Sequence, residues 1–230
     1  MVVPTSTQPE AQNIEALKEV WQTLHPESCP YHYNFHMHTT CSDGQLRPKS
    51  LIEQAIAIGL KGLAITDHHS INGYQIAQSW LEEIRQSYPR HPLPLLWTGI
   101  EITAHLLDTE VHLLGYGFNP EHPQMQPYLQ GESPQGYLAQ ASQVIKAFHQ
   151  AGGLAVLAHP VRYNRPAADL IHGAADLGID GVETYYAYGN PKPWESSPKQ
   201  TEQVSALSKI YGLFTTCGTD THGLSLLQRI

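Results

Sequence analysis

The sequence predicts an α/β protein in which strands alternate with helices. The strands form a mostly parallel sheet or a closed β/α barrel, with a site at their C-terminal ends. Three observations predict it. Short apolar runs of strand length alternate with amphipathic helical patterns along most of the 230 residues. About seven such strands can be counted. Most of them end in His, Asp or Glu, which places polar chemistry where an α/β fold gathers its strand ends.

In chain order, residues 1–8 read as a loose polar tail. Ile14, Leu17, Val20, Trp21 and Leu24 recur at three- and four-residue steps. They predict a helix that stops before Pro26 and packs on the outside of the fold. Residues 33–38 read as a strand. Residues 48–58 read as a helix, with Pro48 at its start and Gly59 at its end. Residues 62–66 are a short buried strand, and residues 74–88 a helix turning Ile76, Trp80, Leu81 and Ile84 inward. Residues 95–102 and 111–115 are strands. Residues 137–150 form a helix with Leu138, Ala141, Val144, Ile145 and Phe148 on one face. Strands at 154–158, 181–184 and 214–217 then alternate with helices at 167–177 and 201–211. The Pro-, Gln- and Gly-rich residues 118–136 fit neither period. They follow the strand carrying His112, so they are a candidate flap over the site. Residues 1–30 are read as tail and helix, and residues 31–230 as one domain. Only eight residues follow His222, so nothing large is expected behind the last strand.

The composition narrows the function classes. With 41% hydrophobic and 15% charged residues, the chain is globular rather than disordered. A net charge of -8 disfavours broad binding to long duplex nucleic acid, although divalent cations in an acidic site would restore a local positive field. Cys29, Cys41 and Cys217 lack metal-motif spacing and read as free thiols in a reducing cytoplasm. The first residues carry no signal-peptide pattern. No run approaches the roughly 18 apolar residues of a membrane span.

The ligand residues carry the functional reading. His36 and His38, two apart on a strand, share a face, while Phe35 and Met37 occupy the other. Two imidazoles on one face can grip one cation together. Asp43 follows in a Ser-Asp-Gly turn that can swing a carboxylate back. His68 ends the next strand, with Asp67 expected to orient an imidazole and His69 as a neighbour. Glu101 ends another strand and can bridge two cations. His112 is preferred over His105, which is placed in a turn. His159 precedes Pro160, so its strand ends there. Asp220 and His222 close the set and share a face. Nine N/O ligands without thiolate suit two or three divalent cations, Mn, Zn or Fe. The expectation is a metal-dependent hydrolase of phosphate esters. Cations roughly 3.5–4 Å apart would share a bridging water and lower its pKa toward a hydroxide nucleophile, with Asp43, Glu101 and His222 as catalytic residues. Arg162 is the expected phosphate contact, and Tyr163 a pocket residue. Glu183 and Tyr185 are candidate pocket walls.

These motifs (His36-x-His38-Thr39 with Ser42-Asp43-Gly44, then Thr66-Asp67-His68, Glu101, Ala158-His159-Pro160 and Asp220-x-His222) resemble the PHP family, the polymerase and histidinol phosphatase domains. The similarity is to its small stand-alone phosphoesterases of nucleotides or short oligonucleotides, and it spans residues 31–230. It implies a distorted seven-stranded β/α barrel. It also implies that His36, His38, Glu101 and Asp220 hold a first metal, that Glu101 bridges to a second with His112 and His159, and that Asp43, His68 and His222 hold a third. The chain departs from nucleotide-cleaving relatives in lacking room for a sizeable helical insertion between His112 and His159. Three alternatives stand beside this reading: a histidinol-phosphate phosphatase, an amidohydrolase-type barrel, and a non-catalytic metal-stabilised binding domain. No strand-end lysine supports the amidohydrolase.

Overall fold

A computed structural model describes residues 9–230; the polar tail expected at residues 1–8 lies outside the described residues. Strands and helices alternate as the sequence predicts, and eight strands among the described residues form two sheets. β1 (Tyr33–Asn34), β2 (Gly62–Ala64) and β3 (Leu95–Trp97) make a parallel sheet in that order. β4 (Gly99–Leu106), β5 (Thr109–Tyr116), β6 (Leu154–Leu157), β7 (Gly181–Tyr185) and β8 (Phe214–Cys217) make a mixed sheet. There β4–β5 and β5–β6 pair antiparallel, and the last two pairs are parallel. The sheets are open and mixed, so their pairing does not by itself close the expected seven-stranded barrel. The two sheets meet at single bridges, Met37 with Thr221 and His68 with Glu101, both beside ligand residues.

The strand expected at 95–102 is two strands broken at Thr98, and the second runs on to Leu106. It turns back through Leu107 and Asp108, both at positive φ (49° and 57°). That is the backbone twist a two-residue hairpin turn requires. His105 consequently lies in β4 rather than in a turn, with its side chain exposed.

Among the described residues six helices cover the sheets: α1 (Ile14–Trp21), α2 (Pro48–Ile58), α3 (Asn72–Ser87), α4 (Ala141–Gln150), α5 (Ala167–Asp176) and α6 (Pro198–Tyr211). α2 carries Pro at its start and ends on Gly59 at φ 83°, a left-handed cap that glycine adopts without a Cβ penalty. α3 buries Tyr74, Ala77 and Leu81, while Ile76 faces solvent. The helix expected from residue 137 starts at Ala141, because Gln140 is extended and pairs with His105. A separate 3-10 turn, Gly136–Ala139, leaves Tyr137 and Leu138 exposed.

α1 keeps an outer face, with Glu15 and Glu19 exposed, and turns Leu17 and Trp21 inward. Leu17 and Trp21 are buried in one cluster with Phe35, Ala64, Trp97, Tyr116, Val156 and Cys217, which come from both sheets. The Trp21 ring meets Tyr116 edge-on at 5.4 Å and Phe35 at 6.2 Å. α1 thus seats two side chains against residues of both sheets while its other face stays outside. The 118–136 stretch is likewise ordered, with Phe118, Met125 and Tyr128 in the core. Among the described residues, no helix is long and apolar enough to cross a membrane.

Candidate metal centre

Beyond β1 the chain stays extended, so Phe35 and Met37 point into apolar clusters. His36 and His38 turn the opposite way and are both fully buried. Glu101, the third residue of β4, projects between them. Its Oε2 lies 3.1 Å from His36 Nε2, 3.0 Å from His38 Nε2 and 3.6 Å from His68 Nε2. Its Oε1 lies 2.8 Å from His112 Nδ1 and 3.5 Å from His159 Nε2. One carboxylate therefore presents each oxygen to a different histidine group, the arrangement a bridging ligand needs. Asp220 Oδ1 approaches His38 Nε2 at 3.2 Å and His36 Nε2 at 3.4 Å. On the open side Asp43 Oδ2 meets His222 Nε2 at 3.2 Å and His68 Nε2 at 3.7 Å, and its Oδ1 meets His38 Nδ1 at 3.4 Å. All nine sequence-predicted ligand residues are brought to one site.

Three donor groups emerge whose ligand atoms lie within 4.8 Å of one another: His36, His38, Glu101 and Asp220; His38, Asp43, His68 and His222; and His68, Glu101 and His112. His159 stands just outside the third.

The donor chemistry fits cations. Among the described residues, both ring nitrogens of His38 and Nδ1 of His159 are buried without a hydrogen bond. His38 Nε2 is close to two carboxylates yet not aligned to donate to them. Buried polar atoms left this way are costly, whereas lone pairs converging on a common point are what a metal takes up. Two imidazoles are also set by their outer nitrogens: His36 Nδ1 donates to Glu183 at 3.0 Å and His222 Nδ1 to the Asp220 carbonyl at 2.8 Å. Each then turns Nε2 toward the centre.

The electrostatics follow from burial of opposite charges together. Burial disfavours charge on Glu101 and Asp220, but the surrounding histidines outweigh it and hold both carboxyls well below the usual range. Burial likewise opposes a charge on His38, yet the negative charges of Asp220 and Glu101 close beside it raise it to about 9. Burial, helped by the charges of His38 and His112, lowers His68 to about 4 despite the opposing pull of Glu101.

Several neighbours differ from expectation. Asp67 orients no imidazole. Its carboxylate accepts from Thr39 N–H, Thr39 Oγ1 and Ser42 Oγ, all at 2.7 Å, and so fixes the loop that carries Asp43. Glu183 is no pocket wall: it is fully buried, and its second oxygen accepts the His159 N–H at 2.9 Å. Tyr185 faces away, donating to the Leu24 carbonyl. Tyr163 accepts the His112 N–H at 2.8 Å and sets its ring tilted against His159 at 5.5 Å, holding β5 and β6 in place. Arg162 donates to Asp220 Oδ2 at 3.0 Å. The same oxygen receives Tyr186 and Arg229, neither of which the sequence pattern singled out. Cys41 is free and half-buried at the rim.

A cavity of about 440 Å³ opens beside Asp43 and His68, walled by Ser70, Asn72 and residues 129–131. The 118–136 segment supplies that wall, pinned by Gly131 N–H to the His69 carbonyl at 2.9 Å and by Ser133 to the His69 ring at 3.1 Å.

Comparison with known proteins agrees with this geometry. The Haemophilus influenzae 5'-3' exoribonuclease is 25% identical over 260 residues, which takes in 83% of this chain and 89% of that protein. The alignment is longer than the stretch of this chain it contains, so the exoribonuclease carries segments absent here. The Chromobacterium violaceum 3',5'-nucleoside bisphosphate phosphatase is 30% identical over 119 residues, covering 52% of this chain and 39% of that one. A structure from Bifidobacterium adolescentis, described as a metal-dependent phosphoesterase, superposes with a TM-score of 0.66 at 24% identity, covering 84% and 88% of the two chains; it shares the fold. The PHP domain family matches residues 34–150, the span that carries His36, His38, Asp43, His68, Glu101 and His112, and the chain belongs to the PHP family of metal-dependent phosphoesterases.

Proposed function

We propose that the protein hydrolyses a phosphate ester of a nucleotide, a short oligonucleotide or a similar small molecule. His36, His38, Glu101 and Asp220 would hold one divalent cation. Glu101 would share a second with His112 and His159. Asp43, His68 and His222 would hold a third, with His38 adjoining them. Bound there, the cations would lower the pKa of water and neutralise phosphate oxygens. The observation that carries the reading is Glu101, a buried carboxylate with each oxygen turned to a different group of histidines.

The chain's own residues divide the remaining work. Asp43 and His222 stand on the open side, beside the cavity, where a leaving oxygen would emerge. Arg162, with 39% of its side chain exposed, can reach a phosphate with a forked guanidinium. The cavity lies within the size range of small-ligand pockets, roughly 300–1,000 Å³, and its wall is mostly uncharged and hydrogen-bonding, suited to a sugar or base. The two curated relatives act on RNA and on a nucleoside bisphosphate, which favours a nucleotide class. The net charge of -8 favours a short substrate over long duplex.

The test is phosphate release with added Mn²⁺ or Zn²⁺. The panel is p-nitrophenyl phosphate, nucleoside monophosphates, 3',5'-bisphosphates, a short oligoribonucleotide and histidinol phosphate. Turnover of a nucleotide class, abolished by chelator and reduced at least a thousandfold in His38→Ala with its fold intact, is the expected result. Turnover of histidinol phosphate alone would replace the substrate assignment. No turnover of any member by metal-bound protein would overturn the proposal and leave a binding domain.

A further inference from the structure

Asp220 is the most heavily engaged ligand of the centre, and its two oxygens face different worlds. Oδ1 looks inward to His36, His38 and His222 Nδ1, at 3.4, 3.2 and 3.4 Å. Oδ2 looks outward and receives three donors: Tyr186 OH at 2.7 Å, Arg229 Nε at 2.8 Å and Arg162 Nη1 at 3.0 Å. A carboxylate oxygen offers about two lone-pair sites, so one of the three is surplus. The distances identify it as Arg162, which is also the more exposed arginine, 39% against 19%. Arg162 has a second hold on the Tyr186 hydroxyl at only 3.2 Å.

Arg229 is fixed quite differently. Residues 223–230 fold back over the site. The Arg229 carbonyl accepts the His222 N–H at 2.7 Å, and Thr221 Oγ1 donates to the Gln228 carbonyl at 2.7 Å. Leu226 is fully buried, with its carbonyl and N–H tied to Asn34 and Gln54. Asp220 itself sits at φ 53°, a backbone state a non-glycine residue holds only when its surroundings enforce it.

We propose that Arg229 is a positioning residue of the centre. With Tyr186 it locks Oδ2 so that Oδ1 stays turned to the cation site, and Arg162 can leave Asp220 for a substrate phosphate without releasing that ligand. The two arginines on one oxygen thus have separable tasks. The Arg162 half rests on the phosphoesterase reading; the Arg229 half does not.

The experiment compares Arg229→Gln, Arg229→Lys and Arg162→Gln in the full chain. Zn²⁺ or Mn²⁺ affinity is measured by competition with a chromophoric chelator, the melting temperature is measured without metal, and KM and kcat are measured on p-nitrophenyl phosphate. Arg229→Gln should weaken cation binding ten- to a hundredfold, the range for groups that orient metal ligands. Arg229→Lys, which keeps the charge and folds more safely, should recover part of that loss. Arg162→Gln should leave cation affinity within twofold and raise KM about tenfold. Cation affinity unchanged in both Arg229 variants would overturn the positioning role. An Arg162→Gln variant that loses cation affinity as severely as Arg229→Gln would overturn the division of tasks. If the parent protein binds cations but never cleaves p-nitrophenyl phosphate, the Arg162 task falls with the phosphoesterase reading, while the affinity arm still decides Arg229.

Discussion

Replacing Glu183 by Gln tests how far the centre depends on a residue that points away from it. Glu183 is fully buried, and each oxygen accepts one donor, His36 Nδ1–H at 3.0 Å and the His159 N–H at 2.9 Å. An amide has one oxygen, so one of the two donors must meet an NH₂ group. If the oxygen keeps His159, His36 can satisfy the amide only by carrying its proton on Nε2, the nitrogen that faces Glu101 and Asp220. A protonated nitrogen cannot ligate. If the oxygen keeps His36, a buried backbone N–H at the end of β6 loses its partner. The lost hydrogen bond to a charged acceptor is worth about 1.5–3 kcal/mol, reduced because a buried charge disappears with it. Disturbed orientation of a ligating imidazole costs ten- to a hundredfold in metal affinity, or about 1.4–2.7 kcal/mol. Chelator competition should show that fall, and urea unfolding of the metal-free protein a smaller change. Cation affinity within twofold of the parent, with the fold intact, would refute the argument that Glu183 sets the His36 tautomer.

Three further outcomes are expected. In the metal-free protein His38 titrates at about 9, above its unfolded value of about 6.5. Its contribution to stability is therefore complete below about pH 6.5 and lost as pH rises through 9, whereas cation affinity climbs over the same window because a proton must leave. Calorimetry at pH 7 in buffers of different ionisation enthalpy should detect released protons, and none released would refute this. Gly218→Ala would place a Cβ 2.2 Å from His36 Cβ and 2.7 Å from its backbone nitrogen. Because backbone yields little, it should destabilise by about 1–3 kcal/mol or more and impair cation binding, and an unchanged melting temperature would contradict the packing. Trp21→Ala should cost about 3–5 kcal/mol in urea unfolding, since the indole is 1% exposed against residues of both sheets; a loss under 1 kcal/mol would mean α1 is dispensable to the core.

The ligand set was legible because it obeys local rules. His36 and His38 alternate with Phe35 and Met37, and His159 follows an apolar run of strand length, so local pattern alone places them at strand ends. The helix at Pro48–Ile58 was legible for the same reason: proline and glycine mark its two ends. What was missed depends on contacts between distant segments. The β4–β5 hairpin turns at Leu107-Asp108, where no glycine or asparagine advertises positive φ. Glu183 reads as one more carboxylate until β7 lies beside His36. Asp67 lies next to His68, yet its partners are Thr39 and Ser42. Arg229 gives no signal at all, because only the return of residues 223–230 over Asp220 brings it to the site. α1 is amphipathic, but its apolar stripe does not reveal that Leu17 and Trp21 join a cluster drawn from both sheets.

The meeting of β1 with the chain beyond β8 has one more consequence. Asn34 and Thr219 are hydrogen-bonded across 185 positions of sequence, and Asp43 meets His222 across 179. A cation gripping His36, His38 and Asp220 would act on the unfolded ensemble as a cross-link that closes a loop nearly as long as the chain. The entropy removed by such a closure grows with the logarithm of loop length, so this position restricts the unfolded chain more than a clip within one strand–helix unit would. The side chains that would serve the chemistry would also serve as a latch, and taking the cations away would loosen the whole α/β frame rather than the site alone.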